Sequence, residues 1–137
     1  MKNRLKNFLN ELQLIDAFIG FIGVLCILAA ALVVQIFFDE EPCPLCLLQR
    51  TSFIAVGISF LMTLRYGNSA KNWGSAILSA SVGIAVSIRQ ICLHITTPEG
   101  FGRTFYGFHM YTWCFFAFSA IIIGSAFTLL IYPEKTN

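Results

Sequence analysis

The sequence predicts an all-α membrane protein, a four-helix antiparallel transmembrane bundle, and three observations carry that reading. Hydrophobic residues make up 57% of the chain and charged residues 12%. An ordinary soluble domain has about 25% charged residues, so this chain lacks the charge to cover a water-facing surface. Two long stretches, Ala17 to Phe38 and Tyr111 to Tyr132, carry no charge, and roughly 20 apolar residues cross a bilayer. Between them lie two further apolar stretches with one arginine each, Leu45 to Leu64 with Arg50 and Trp73 to Cys92 with Arg89. One membrane domain over 1–137 is expected, with spans at 17–38, 45–64, 73–92 and 111–132 and outer loops at 39–44 and 93–110. The net charge of +2 is too small to point to nucleic acid.

The chain opens on a polar, basic segment with Lys2, Arg4 and Lys6. Leu5, Phe8, Leu9 and Leu12 recur in it at helical spacing, which predicts a short helix on the membrane surface. The first span follows, with Gln35 as its one strongly polar group and Cys26 near its middle, where a lone cysteine is expected to be an inert core residue. Ala29-Ala30-Ala31 offers a small-residue cleavage site after a basic start, but the apolar run continues to Phe38, so an uncleaved span is expected.

The second span ends at a short polar turn, Arg65 to Asn72. In the third, Ser75, Ser79, Gly83 and Ser87 recur every four residues and form a small-residue ridge for close helix contact. The segment from Leu93 to Met110 carries His94, Pro98, Glu99, Gly100, Gly102, Arg103 and His109, and its glycines and proline mark a loop. A phenylalanine-rich fourth span and a short polar tail complete the chain.

Four spans put both termini on one side. Lys2, Arg4, Lys6, Arg65, Lys71 and Lys135 share that side, and Arg50, Arg89 and Arg103 lie towards the other. The excess of cytoplasmic lysine and arginine in membrane proteins then places both termini in the cytoplasm. The segment around Cys43 and Cys46 and the 93–110 loop face outward, which in a bacterium is the periplasm, where disulfides persist.

The chemistry concentrates in Glu41-Pro42-Cys43-Pro44-Leu45-Cys46-Leu47-Leu48-Gln49-Arg50. Pro42 pushes Glu41 into an extended conformation, and Pro44 suits the first turn of a helix, where its missing N–H is no loss. Cys46 then falls in the first turn, near free backbone amides, with Arg50 one turn on along the same face. Both surroundings favour a reactive sulfur. A Cys-x-x-Cys pair has three uses: a dithiol/disulfide couple, half of a metal site completed here by His94 and His109, or a structural cross-link. The last closes a very small loop and stabilises little. Arg50, just inside a span, calls for a partner or a function, or its side chain reaches out to the headgroups. With Gln49 it offers donors for the carbonyl oxygens of a lipid-soluble electron acceptor, and Arg89-Gln90 repeats the pairing on the third span.

Cys43-Pro44-Leu45-Cys46-Leu47-Leu48-Gln49-Arg50 after a first span resembles the disulfide bond formation protein B (DsbB) family. So do Arg89-Gln90 with Leu93-His94, and Gly107-Phe108-His109-Met110-Tyr111-Thr112-Trp113 before the last span. The resemblance implies a four-helix bundle in the bacterial inner membrane that reoxidises a periplasmic thioredoxin-fold thiol oxidase, DsbA-like, and passes the electrons to a quinone, ubiquinone or menaquinone. It implies Cys43 and Cys46 as the catalytic, quinone-proximal disulfide, with Cys46 contacting the quinone and Arg50 orienting it. Gln49, Arg89 and His94 join Arg50 as expected cofactor-binding residues, and no metal is expected. The alternative is a non-enzymatic membrane metal-binding or interaction protein using the Cys-x-x-Cys and the loop histidines.

In one respect the chain departs from that family. Well-studied members carry a second cysteine pair within the second outer loop, and 93–110 contains no cysteine. Cys92 lies just before it and Cys114 just after it, at comparable depths of antiparallel spans. Packed helix axes are about 8–10 Å apart and a disulfide needs Cα atoms roughly 4.4–6.8 Å apart, so a bridge forms only if both side chains enter one groove. Both are expected to be mainly thiols.

Overall fold

The computed structural model describes residues 2–39, 41, 43–97 and 104–131. Four helices, α1 (Lys2–Phe38), α2 (Pro44–Tyr66), α3 (Ala70–Thr96) and α4 (Met110–Ile131), are each long and apolar enough to cross a membrane. Consecutive helices pack on one another, α1 on α2, α2 on α3 and α3 on α4, and α1 and α4 are not closely packed together. The architecture is a four-helix membrane bundle with α2 and α3 at its centre.

Its interior inverts the pattern of a water-soluble bundle. Ser59 and Ser87 are 2% and 0% exposed, whereas Leu130 on the outside is 82% exposed. In water such a surface would be a large adhesive patch. In hydrocarbon it faces a matched solvent, and small and hydrogen-bonding residues hold the helices together. The ridge expected on α3 serves this purpose in part: Gly83 and Ser87 are buried, whereas Ser75 is exposed and the buried stripe continues through Ala80 and Ala76. Gly83 lies under the ring of Phe118 on α4, where any Cβ would collide with it, and that ring stacks on Phe53 of α2 at 4.0 Å between centroids. Ser75 Oγ lies 2.7 Å from Ser59 Oγ, and Ser87 Oγ accepts from Gln49 Nε2 at 2.9 Å.

The α2–α3 turn is closed by Gly67, whose left-handed backbone (φ +88) lets its N–H reach the Thr63 carbonyl. Ser69 caps α3 by accepting from the Lys71 N–H. Trp73 Nε1 donates to Asn68 Oδ1 at 2.7 Å across the same turn.

Three expectations are corrected. The N-terminal amphipathic segment is no separate surface helix but the first part of α1, continuous to Phe38. No proline or glycine interrupts residues 2–19, and Gln13 and Ala17 are already buried on the side that continues into the span. Cys26 is exposed on the outer surface of α1, not in the core, because the inward stripe runs through Ala17 and Val24. The 93–110 segment is only partly a loop. Leu93 to Thr96 complete α3, and Thr104–Phe105 pair with Phe108–His109 in a two-stranded hairpin, β1 and β2. Tyr106 and Gly107 both have positive φ, as a two-residue hairpin turn requires. Pro98, Glu99, Gly100, Gly102 and Arg103 lie outside the described residues, as do Pro42, Tyr132 and the tail.

Candidate functional site at the amino end of α2

Cys43 is the N-cap of α2. Its backbone is extended, Pro44 follows as the first helical residue, and its carbonyl accepts the Leu47 N–H at 3.2 Å. Its Sγ stands where a serine or aspartate oxygen usually caps a helix, and it accepts the Cys46 N–H at 3.3 Å. The amide expected to serve the Cys46 sulfur thus serves Cys43. Cys46 Sγ lies 2.8 Å from Cys43 Sγ, so the two thiols need only small side-chain rotations to join.

A residue of α3 completes the pair. Gln90 is 7% exposed, and its Nε2 donates to both Cys43 Sγ and Cys46 Sγ at 3.5 Å. Its Oε1 is buried and accepts no hydrogen bond among the described residues. Sequence reasoning noticed Gln90 as a neighbour of Arg89 but gave the functional role to the arginine. The signal was in the ridge: Gly83, Ser87 and Gln90 follow at helical spacing on the same buried face.

The expected cofactor residues fall into different places. Arg50, half-buried on α2, turns to α1, where Nη1 donates to Gln35 Oε1 at 2.6 Å and Nη2 to the Ala31 carbonyl at 3.2 Å. This supplies the partner that a cation in a span calls for. A guanidinium has five N–H donors, so three remain uncommitted among the described residues. Gln49 is buried and occupied with Ser87. Arg89 is exposed, off the buried face of α3 that carries Ser87 and Gln90. His94 is near the end of α3 with its ring 4.2 Å from that of His109 on the hairpin, and His109 stacks on Tyr111 of α4. Trp113 Nε1 donates to the Phe105 carbonyl and anchors the hairpin to α4.

The other two thiols diverge. Cys92 is exposed, while Cys114 packs against the core. Among the described residues no three of His, Cys, Asp and Glu converge as a metal site would need, and the histidines meet each other rather than the cysteine pair. The arrangement can do dithiol chemistry: two adjacent sulfurs, amide donors aimed at them, and a guanidinium one turn deeper.

The family model described as Disulfide bond formation protein DsbB matches residues 16–103. Among curated proteins, the chain is 34% identical over 86 residues to Disulfide bond formation protein B of Xanthomonas axonopodis pv. citri, covering 59% of this chain and 50% of that protein. The protein of the same name from Cupriavidus necator is 37% identical over 84 residues, covering 61% and 48%. That of Methylobacillus flagellatus is 35% identical over 78 residues, covering 54% and 47%. The matched regions span about half the length of these relatives. No solved structure matches.

Proposed function

The chain belongs to the DsbB family, and on that premise we propose that it is a membrane thiol:disulfide oxidoreductase that oxidises a partner dithiol and delivers the electrons to a quinone. The observation that carries the reading is the Cys43–Cys46 pair, sulfur beside sulfur at the head of a membrane helix with the Gln90 amide on both. In the oxidised pair, a partner thiolate attacks Cys43 Sγ, the mixed disulfide forms, and Cys46 leaves as the thiolate. The partner's second thiolate then displaces Cys43, so the partner gains a disulfide and Cys43 and Cys46 hold two electrons and take up two protons. The partner class implied by the family is a thioredoxin-fold thiol oxidase, DsbA-like.

A quinone, ubiquinone or menaquinone, accepts two electrons and two protons and so restores the disulfide. The residues present suit a carbonyl-bearing ring. Arg50 keeps uncommitted N–H donors one turn along α2 from Cys46, and the buried Gln90 Oε1, unpaired among the described residues, offers an acceptor for a hydroxyl. Since Cys92 is exposed and Cys114 turned inward, the partner exchanges with Cys43–Cys46 directly, without a second relay disulfide. Both termini lie in the cytoplasm of a bacterial inner-membrane protein, and the cysteine pair faces the periplasm.

Thiol trapping in membranes tests this. Cys43 and Cys46 are expected to be joined in respiring cells and to become alkylatable when quinone is depleted. Thiols that stay free in both conditions would end the redox reading.

A further inference from the structure

We propose that Gln90 is a positioning residue of the dithiol, holding both sulfurs from α3 and stabilising the pair in its reduced, ionised form. This rests on the redox reading of Cys43 and Cys46 but not on the identity of the electron acceptor. A carboxamide 7% exposed, with its carbonyl oxygen buried and unpartnered among the described residues, is destabilising where it stands, because a buried acceptor without a donor forfeits its hydration. What the amide gains in return is two contacts of 3.5 Å to sulfur. Neutral thiols are weak acceptors, and such long contacts do not offset the orphaned oxygen. A thiolate changes the balance, since hydrogen bonds to an ionised partner are roughly twice as strong as neutral ones. A leucine or methionine would fill this space more cheaply if packing were the only task.

Nε2 is equidistant from the two sulfurs, so it follows the negative charge to whichever cysteine carries it. Cys43 has a backbone donor in the Cys46 N–H, whereas Gln90 is the donor shown for Cys46 Sγ from outside the motif. Once Cys43 enters a mixed disulfide, Gln90 therefore becomes the group that stabilises the departing Cys46 sulfur. Its place on α3 makes it independent of the backbone that carries the two cysteines.

The test uses the full-length protein in detergent or nanodiscs, without quinone, equilibrated with reduced and oxidised glutathione. Gln90→Met, close in shape and without the amide, is expected to favour the Cys43–Cys46 disulfide about tenfold in the equilibrium constant, as expected for one hydrogen bond to a charged group. Iodoacetamide labelling of the reduced pair at neutral pH is expected to slow by a similar factor, with the thermal midpoint unchanged or raised because the orphaned oxygen is gone. Gln90→Glu, which replaces the donor by an anion, is expected to shift the equilibrium further in the same direction. A lowered thermal midpoint with an unchanged glutathione equilibrium and labelling rate in Gln90→Met would make Gln90 a packing residue and overturn the inference. If Gln90→Met does not assemble, an unshifted equilibrium in Gln90→Glu has the same consequence. A parent protein that forms no reversible disulfide would instead remove the redox reading itself.

Discussion

Two glutamine–arginine pairs, one on α2 and one on α3, are used in opposite ways. In Gln49-Arg50, the glutamine is locked to Ser87 inside the bundle and the arginine reaches across to Gln35 and Ala31 of α1. In Arg89-Gln90, the arginine is exposed and the glutamine holds the two sulfurs. Composition is the same, and what differs is the angular position of each residue on its helix. Successive residues lie about 100° apart around the axis, so only one of each pair can share the inward face with the serines. On α2 the next direction round faces another helix, and on α3 it faces out of the bundle. An arginine in a membrane helix is therefore informative only once its neighbour in that direction is known.

The sharpest way to break this comparison is to remove each arginine. Arg50→Ala is expected to raise the Michaelis constant for a short-chain quinone about tenfold or more and to destabilise the bundle by about 2 kcal/mol. It loses two hydrogen bonds from a charged group and leaves Gln35 without its partner. Arg50→Lys recovers the charge but not both contacts, and falls between. Arg89→Ala is expected to change either quantity less than twofold, so equal losses from the two variants would erase the distinction.

The glutamines provide a smaller contrast. Gln49→Leu removes a buried inter-helix hydrogen bond and is expected to cost about 1 kcal/mol in a reversible denaturation assay, with the glutathione equilibrium of Cys43–Cys46 unmoved. Ser87 keeps its bond to the Gly83 carbonyl, which limits the damage. A redox shift in Gln49→Leu as large as that in Gln90→Met would show that the two amides are not separable.

The smallest effects are expected at the remaining outer-end thiols. Cys92→Ala and Cys114→Ala, singly or together, leave quinone reduction largely intact, and non-reducing mass spectrometry finds both as thiols. Their side chains diverge, one to the surface and one to the core. A Cys92–Cys114 disulfide that turns over with substrate would restore a two-disulfide relay.

Much of the fold was legible because the bilayer imposes a length and a polarity that a single helix must satisfy by itself. The four spans and the Gly83–Ser87 part of the small-residue ridge needed no knowledge of neighbours. The Cys43–Cys46 pair and its helix start were equally local, written in Pro44 and the spacing. Three boundaries were not: the unbroken α1, the helical end of α3 at Thr96, and the hairpin at 104–109. Polar residues suggested a boundary or a loop there, and nothing local showed how far helical hydrogen bonding would continue.

Sequence by itself determined that this chain is a membrane bundle and that its Cys-x-x-Cys stands at a helix N-terminus, since both follow from residues a few positions apart. Tertiary structure alone decided the partners: Gln35 and Ala31 for Arg50, Ser87 for Gln49, the sulfurs for Gln90, and the separation of Cys92 from Cys114. The physical reason is that a side chain's partner depends on the relative rotation and depth of two helices. That rotation is set by how Gly83 seats the ring of Phe118 and how Phe53 stacks on it, contacts between residues far apart in the chain.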